Sequence, residues 1–380
     1  MNGLSNHSGR AHALLSASSS SRWLKCPPSA LAASLYPSQD TVYTREGTLA
    51  HEVAEATARR YIDDAPVPSV FDSPDVTSEM LACAIDYAGY IQEQIKNPDA
   101  VVLLEQRLDF SPWVPDGFGT GDCLILQGRH LDVIDYKYGQ GVEVSAEGNS
   151  QMRLYGLGAV HDFGKIYDIQ WVTLHIFQPR KDNISAETLS VEELLAWGEE
   201  IRPVALQASK GEGNHAPGTH CRFCPHAGAC PALASSCGGW FANYAERDVP
   251  SLSALDVADI LAQESVITAW LKAVKDRALA SLLDGAEIPG FKVVAGRASR
   301  GWADDLEVTG LLERAGYSRA DFTKTEVLSP AALERAIGKK KVADLLSGQI
   351  LSYPGAPTVA PVSDKRPVFD RLAEAKKDFT

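Results

Sequence analysis

Two short apolar runs, each carrying an acid near one end, are joined by a turn. They read Thr120-Gly121-Asp122-Cys123-Leu124-Ile125-Leu126, then Gln127-Gly128-Arg129-His130, then Leu131-Asp132-Val133-Ile134-Asp135-Tyr136-Lys137. Apolar runs of this length around a Gly-containing turn predict a β-hairpin. Side chains alternate along a strand, so Asp135 and Lys137 share one face and Tyr136 takes the other. Two carboxylates and an ammonium then converge on one patch of a sheet. Such a patch suits a hard divalent cation, a water and a phosphodiester. A lone D-x-K is ordinarily an exposed ion pair of little energetic consequence. Here the apolar neighbours, and the elements around them, set the motif apart.

Further elements follow from periodicity. Residues 16–36 read as helical, with Pro27-Pro28 interrupting the pattern; Gly47-Thr48 leads into a helix to about Tyr61, with Leu49, Val53 and Ala56 on its apolar side. A Pro- and Asp-rich linker over 63–75 precedes a helix from about Ser78 to Ile95. Strands are expected at about 101–109, 120–126, 131–138 and 170–178, with a helix over about 146–162 before the last of them. Ser190-Val191-Glu192-Glu193 is a capping box opening a helix to about Ser209; Ser253-Ala254-Leu255-Asp256 resembles one and opens a long helix ending near Gly285. Ile288–Val294 reads as a strand or hairpin arm, and a Pro-rich tail begins at about Tyr353. This organisation divides the chain into a domain over 1–245 and a mainly helical accessory region over 250–380.

Three more constellations carry chemistry. Gly47-Thr48-Leu49-Ala50-His51 places a histidine early in a helix, where its imidazole can reach a metal. Gln151 and Tyr155, four residues apart, share a helix face and can hold a phosphate or order a carboxylate. Cys221, Cys224 and Cys230 form a C-x2-C-x5-C group, with Cys26 as a distant fourth thiol. Four thiolates suit either tetrahedral zinc or a cubane iron–sulfur cluster, and spacing alone does not decide between them. For zinc, His220, His226 and Cys237 are alternative ligands; Cys83 and Cys123 lie in a predicted helix and strand and read as small core residues.

The chain has seven cysteines, which is not the even framework of a disulfide-stapled secreted domain. It contains no apolar run approaching about 18 residues, so no membrane contact is expected, and the chain reads as cytoplasmic. The formal net charge is −13; acidic and basic residues balance over 251–380, so the excess lies in 1–250. That argues against a generic nucleic-acid coat, which would be basic, but not against an enzyme with clustered metal-binding acids. Lys339-Lys340-Lys341 is a candidate phosphate contact, although such a run is more often a solvated helix face.

The order of these pieces is Cys26, G-x-x-x-H, G-D, D-x-K, Q-x-x-x-Y and C-x2-C-x5-C. It resembles the RecB-like branch of the PD-(D/E)xK nucleases, in particular the iron–sulfur members: AddB-type domains, four-cysteine CRISPR-associated nucleases and phage-encoded relatives. The resemblance covers roughly residues 12–235 and includes the opening Ser16-Ala17-Ser18 through Trp23, Cys26 and Pro27. It implies an α/β restriction-endonuclease-like core, a central mixed sheet flanked by helices, with an iron–sulfur clamp. It further implies metal ligation by His51, Asp122, Asp135 and the Tyr136 carbonyl, with Lys137 as the catalytic lysine. Gln151 and Tyr155 would support the site and contact DNA. Cys26, Cys221, Cys224 and Cys230 would hold a [4Fe-4S] cluster, with Zn2+ the alternative occupant. The implied activity is Mg2+- or Mn2+-dependent DNA hydrolysis, as an exonuclease on single-stranded or free-ended DNA, in phage or bacterial recombination, repair or replication. A recombination or replication protein is a conceivable partner in the bacterial host cell. A non-catalytic binding module that retains the fold is the alternative. One departure is Asp135, where many relatives carry Glu.

Overall fold

The computed structural model describes residues 13–37, 42–63, 69–245 and 252–293, and the single positions 66 and 314. Four strands form where the apolar runs place them: β1 (Val101–Asp109), β2 (Phe118–Gln127), β3 (His130–Tyr136) and β4 (Trp171–Gln178). A fifth, β5 (Asn183–Ser190), was not expected. Its residues alternate between half-buried and exposed, with no apolar run to announce it. The sheet order is β1-β2-β3-β4-β5. All neighbours are antiparallel except β3 and β4.

The predicted hairpin is present. Gln127 pairs with His130, and Gly128 between them has φ 60°, which glycine adopts without a Cβ penalty. A parallel β3–β4 pair needs a long crossover.

The helices before the sheet are α1 (Ser20–Trp23), α2 (Ser29–Ser34), α3 (Val42–Asp63) and α4 (Ser78–Gln94). The expected helix over 16–36 is thus two short pieces, broken around Pro27-Pro28. The β3–β4 crossover contains α5 (Ser150–Tyr167), and β5 leads into α6 (Val191–Lys210). The capping box at Ser190 forms as predicted, with Glu193 N–H donating to Ser190 Oγ at 3.2 Å and Ser190 N–H to Glu193 Oε2 at 2.8 Å.

Strand alternation sorts the core into two layers. Leu124, Leu126, Leu131, Val133, Val172, Leu174 and Ile176 face α5 and α6, where Leu154, Leu157, Ile201 and Ala205 meet them. Cys123, Ile125, Ile134, Tyr136 and Phe177 face α3 and α4, against Val53, Ala54, Ala84, Tyr87 and Ile91. Cys83 and Cys123 belong to this second core, as small buried residues. The N-terminal segment joins the first layer through the fully buried Trp23, and Ser20 Oγ lies 2.6 Å from Ser150 Oγ at the start of α5.

Among the described residues the cysteine loop is followed by α7 (Pro231–Ala245) and α8 (Ala254–Leu283). The chain divides into two compact units, 1–249 with 265–294, and 250–264 with 295–380. Residues 265–294, assigned from sequence to the accessory region, therefore belong with the first unit. Within that unit Val266, Ile267, Trp270 and Ala273 pack on the cysteine loop. A Cβ on Gly228 would collide with the Ala273 carbonyl, so the close approach of α8 requires glycine there. Arg277 Nη1 donates to Tyr36 Oη at 3.2 Å, and Tyr36 Oη lies 3.1 Å from His226 Nδ1. In the second unit, Ser253 caps α8 as expected: Asp256 N–H donates to Ser253 Oγ at 3.2 Å. Residues 288–293 form no strand, which corrects the expected hairpin arm: Pro289-Gly290 makes a turn, with Gly290 at φ 81°. Lys339-Lys340-Lys341 and the tail from Tyr353 lie outside the described residues.

Candidate metal centre

The β2–β3 ladder ends at the pair Cys123 and Ile134, so Asp122 and Asp135 are the next opposed residues, just where the strands part. Asp122 fills the opening: its Oδ2 accepts the Tyr136 backbone N–H at 2.7 Å. On the other side, β1 brings Glu105 into register with Asp122, between the pairs Leu104–Cys123 and Gln106–Gly121. Glu105 itself leaves the ladder, with φ 51°. Helix α3 supplies His51, whose Nδ1 lies 3.6 Å from Asp122 Oδ2 and whose ring stands edge-on to Tyr136 at 5.3 Å. His51, Glu105 and Asp122 each offer a ligand atom, all within 4.8 Å of one another.

Asp135 anchors a second, adjoining network. It is 3% exposed, and Lys137 Nζ lies 2.8 Å from its Oδ2. Gln151 spans both groups from the first turn of α5. Its Nε2 donates to Asp135 Oδ1 at 3.0 Å, and its Oε1 accepts from Lys137 Nζ at 3.2 Å. Nε2 also lies 3.3 Å from Tyr155 Oη. Asn149 fixes the start of the helix by accepting the Gln151 N–H at 3.0 Å. Gly119 leaves room for Tyr155, since a Cβ there would lie 2.7 Å from Tyr155 Cε1. Asp135 Oδ2 is held by the Lys137 ammonium at 2.8 Å.

The electrostatics follow from crowding acids in a half-dry site. Burial pushes Glu105 up, repulsion from Asp122 and Glu55 adds to it, and its carboxyl titrates at about 7. Burial pulls His51 down, but Asp122 and Asp135 more than offset this and its pKa is raised. Burial would raise Asp122, yet His51, Lys137 and the Tyr136 N–H hold it below the usual carboxylate range. Asp135 is raised by burial and by Asp122, against the pull of Lys137. Burial pulls Lys137 down, but Asp135 and Asp122 outweigh it, so the ammonium stays charged. Three carboxyl groups beside one ammonium and one imidazole concentrate donors of the kind that ligate divalent cations.

The structure brings together every residue that the sequence placed at this centre: His51, Asp122, Asp135, Tyr136, Lys137, Gln151 and Tyr155. It adds Glu105. The signal for it was a single acid inside the apolar run Val101-Val102-Leu103-Leu104 and onward. Sequence reasoning also missed a buried network at the opposite end of the strands. There His175 Nε2 meets Asp132 Oδ1 at 3.0 Å, and His175 Nδ1 lies 2.9 Å from Tyr90 Oη.

The four thiols gather elsewhere. Cys26, Cys221, Cys224 and Cys230 line one small pocket, with His220 and His226 at its wall. Cys237 does not line it; it is buried beside Ala227 and Leu233. The Gly218 N–H donates to Cys221 Sγ at 3.4 Å and the Leu233 N–H to Cys230 Sγ at 3.5 Å. Burial raises the Cys221 thiol, and its three neighbours in the pocket add to the effect. All seven cysteines are free.

Fold and site together define a mixed α/β protein, a five-stranded sheet flanked by helices, with a His–carboxylate–Lys centre and a separate four-thiol pocket. A family model described as "Protein of unknown function (DUF2800)" matches residues 12–367, and the chain belongs to that family. A solved structure, "Crystal structure of SSO0001", is similar over 51% of this chain and 98% of that chain, at 15% identity and a TM-score of 0.25. At that score the likeness carries no argument. No helix among the described residues is long and apolar enough to cross a membrane.

Proposed function

We propose that this protein is a metal-dependent deoxyribonuclease with a RecB-like PD-(D/E)xK core, acting as an exonuclease on single-stranded or free-ended DNA in phage or bacterial recombination, repair or replication. The observation that carries the reading is the convergence of Asp122, Asp135 and Lys137 at an opened ladder end, with Gln151 locking the acid to the lysine. The donor set of one imidazole and several carboxylates fits Mg2+ or Mn2+, which prefer oxygen ligands. Asp122 and Asp135 would hold the ion, with His51 and the Tyr136 carbonyl completing the set. When bound, such an ion polarises a phosphoryl oxygen and lowers the pKa of a water.

The chain's own residues do the remaining work. Lys137 presents a charged ammonium beside Asp135, placed to orient the attacking water and to stabilise charge developing on the phosphate. Gln151 fixes the direction of both groups. Tyr155 completes the wall against which the DNA backbone is positioned.

Four thiols lining one pocket match the four-thiolate ligand set of a cubane iron–sulfur cluster, with a single zinc as the alternative occupant. The two N–H···S hydrogen bonds are of the kind that stabilise cluster thiolates. Such a cluster would tie Cys26 to the loop at Cys221–Cys230, closing a loop around nearly the whole catalytic unit.

The test is degradation of end-labelled linear DNA by the purified protein with Mn2+ or Mg2+, set beside a covalently closed circle. Metal-dependent loss of the linear substrate, abolished by chelator, is the expected result. Tight DNA binding with no cleavage under any metal would replace this reading with a non-catalytic module.

A further inference from the structure

We infer that His226 serves the thiol pocket as an N–H donor to a metal-bound sulfur rather than as a ligand, with Tyr36 and Arg277 as the positioning residues that hold it in that role. This rests on the metal–thiolate reading of the pocket and adds to it a task for α8, which carries no thiol.

Three segments surround the pocket. The N-terminal segment brings Cys26, and the loop brings Cys221, Cys224 and Cys230. Helix α8 supplies no cysteine, yet Val266, Ile267, Trp270 and Ala273 share one apolar cluster with the three loop cysteines. The approach is close, since a Cβ on Gly228 would collide with the Ala273 carbonyl. One turn further along α8, Arg277 Nη1 donates to Tyr36 Oη at 3.2 Å, and that oxygen lies 3.1 Å from His226 Nδ1. Tyr36 belongs to the segment of Cys26, and His226 stands two residues after Cys224. The line Arg277–Tyr36–His226 thus joins all three segments at the pocket wall.

The chemistry of the three groups gives the line a direction. A guanidinium only donates. The Tyr36 oxygen accepts from it, and that bond strengthens the phenol's own O–H as a donor. His226 Nδ1 is the acceptor in reach. A neutral imidazole that accepts at Nδ1 carries its proton on Nε2, a tautomer read from the hydrogen-bond directions. His226 lines the pocket, and the nitrogen left to it has no lone pair to give a metal. What it can give is a hydrogen bond to sulfur, as the Gly218 and Leu233 N–H groups already do at Cys221 and Cys230. Such outer bonds orient metal ligands and strengthen the metal's hold. The other histidine of the wall, His220, has its Nε2 buried without a hydrogen-bond partner, which fits a pocket shaped around a bound group.

The rate of metal loss tests this. The full-length protein, purified anaerobically and reconstituted with iron and sulfide or with zinc, is assayed for bound metal and then mixed with excess chelator. Tyr36→Phe removes one hydroxyl, and Arg277→Met removes the guanidinium. Both variants should start with the parent's metal content and lose it about two- to tenfold faster, the worth of one hydrogen bond. The double variant should lose it no faster than Tyr36→Phe alone, because Arg277 acts through Tyr36; two independent packing defects would multiply instead. His226→Gln, which keeps an N–H donor, should also start fully loaded. Parent-like rates in both single variants overturn the inference, as does multiplication in the double variant. A folded His226→Gln protein without metal makes the histidine a ligand and overturns it too. Zinc retained where iron and sulfide are not, with the same accelerations, refutes the iron–sulfur reading and leaves the inference standing. A pocket that takes up neither overturns both.

Discussion

Gln151 is the residue whose loss should separate positioning from chemistry. Methionine in its place keeps the length and helix preference of the side chain but neither donates nor accepts a strong hydrogen bond. Two contacts disappear, the 3.0 Å bond to Asp135 Oδ1 and the 3.2 Å bond from Lys137 Nζ. Hydrogen bonds to charged groups contribute roughly 1.5–3 kcal/mol each. Asp135 is almost fully buried and cannot replace its donor with water, so its loss falls at the upper end. The Lys137 side chain is 27% exposed and recovers hydration, so its loss falls at the lower end or below. A net penalty of about 3 kcal/mol follows. Expressed in the transition state, that slows cleavage by about 10²-fold. Because Gln151 acts through Asp135 and Lys137, the drop should appear in kcat with KM little changed. Single-turnover cleavage of a labelled oligonucleotide, with urea unfolding in parallel, measures both consequences. A Gln151→Met protein as fast as its parent would refute the view that this amide organises the site.

Other outcomes follow from the same coordinates. The Glu105 carboxyl is raised by burial and by Asp122 to about 7, so the folded chain prefers it protonated. Its contribution to stability is full below the unfolded carboxylate pKa and is lost as pH rises through about 7. The metal-free protein should therefore lose melting temperature between about pH 5 and pH 8, and Glu105→Gln should flatten that slope. Cys26→Ser should yield colourless protein with less iron. It should also be less stable by up to about 5 kcal/mol, since the cross-link closes a loop of roughly two hundred residues; iron assay and chemical denaturation report both. His175→Ala should cost roughly 1–3 kcal/mol by removing one partner of buried Asp132, which keeps Gln127, measured by urea unfolding, and should leave the cleavage rate of the folded fraction unchanged.

What could be read in advance depended on which forces leave a linear trace. Strands β2, β3 and β4 and the β2–β3 turn were legible because burial on both faces demands continuous apolar runs, and Gly128 marks the reversal; β1, at the sheet edge, showed through its run Val101-Val102-Leu103-Leu104. Strand β5 left no such trace. It lies at the sheet edge with Ile184 55% exposed, so its residues alternate small and polar. Asp122, Asp135 and Lys137 were legible because charges inside apolar runs stand out. Glu105 was equally conspicuous in β1, but its place at the centre depends on register with β2, which only pairing fixes. The Tyr90–His175–Asp132 network was invisible for a related reason: its members come from α4, β4 and β3 and share no spacing. The cysteine loop announced itself by C-x2-C-x5-C. Cys26 joins it only because the N-terminal segment folds back to line the same pocket.

The most direct measurement is the rate at which Lys137→Ala cleaves end-labelled DNA at saturating Mn2+, beside the parent protein. The ammonium is held to Asp135 and Gln151, so its loss should remove charge stabilisation at the point where the phosphate would sit. The account predicts a rate lower by roughly 10²–10⁴-fold, with Mn2+ still bound and the fold intact. A folded, metal-loaded Lys137→Ala protein that cleaves at the parent rate would contradict it.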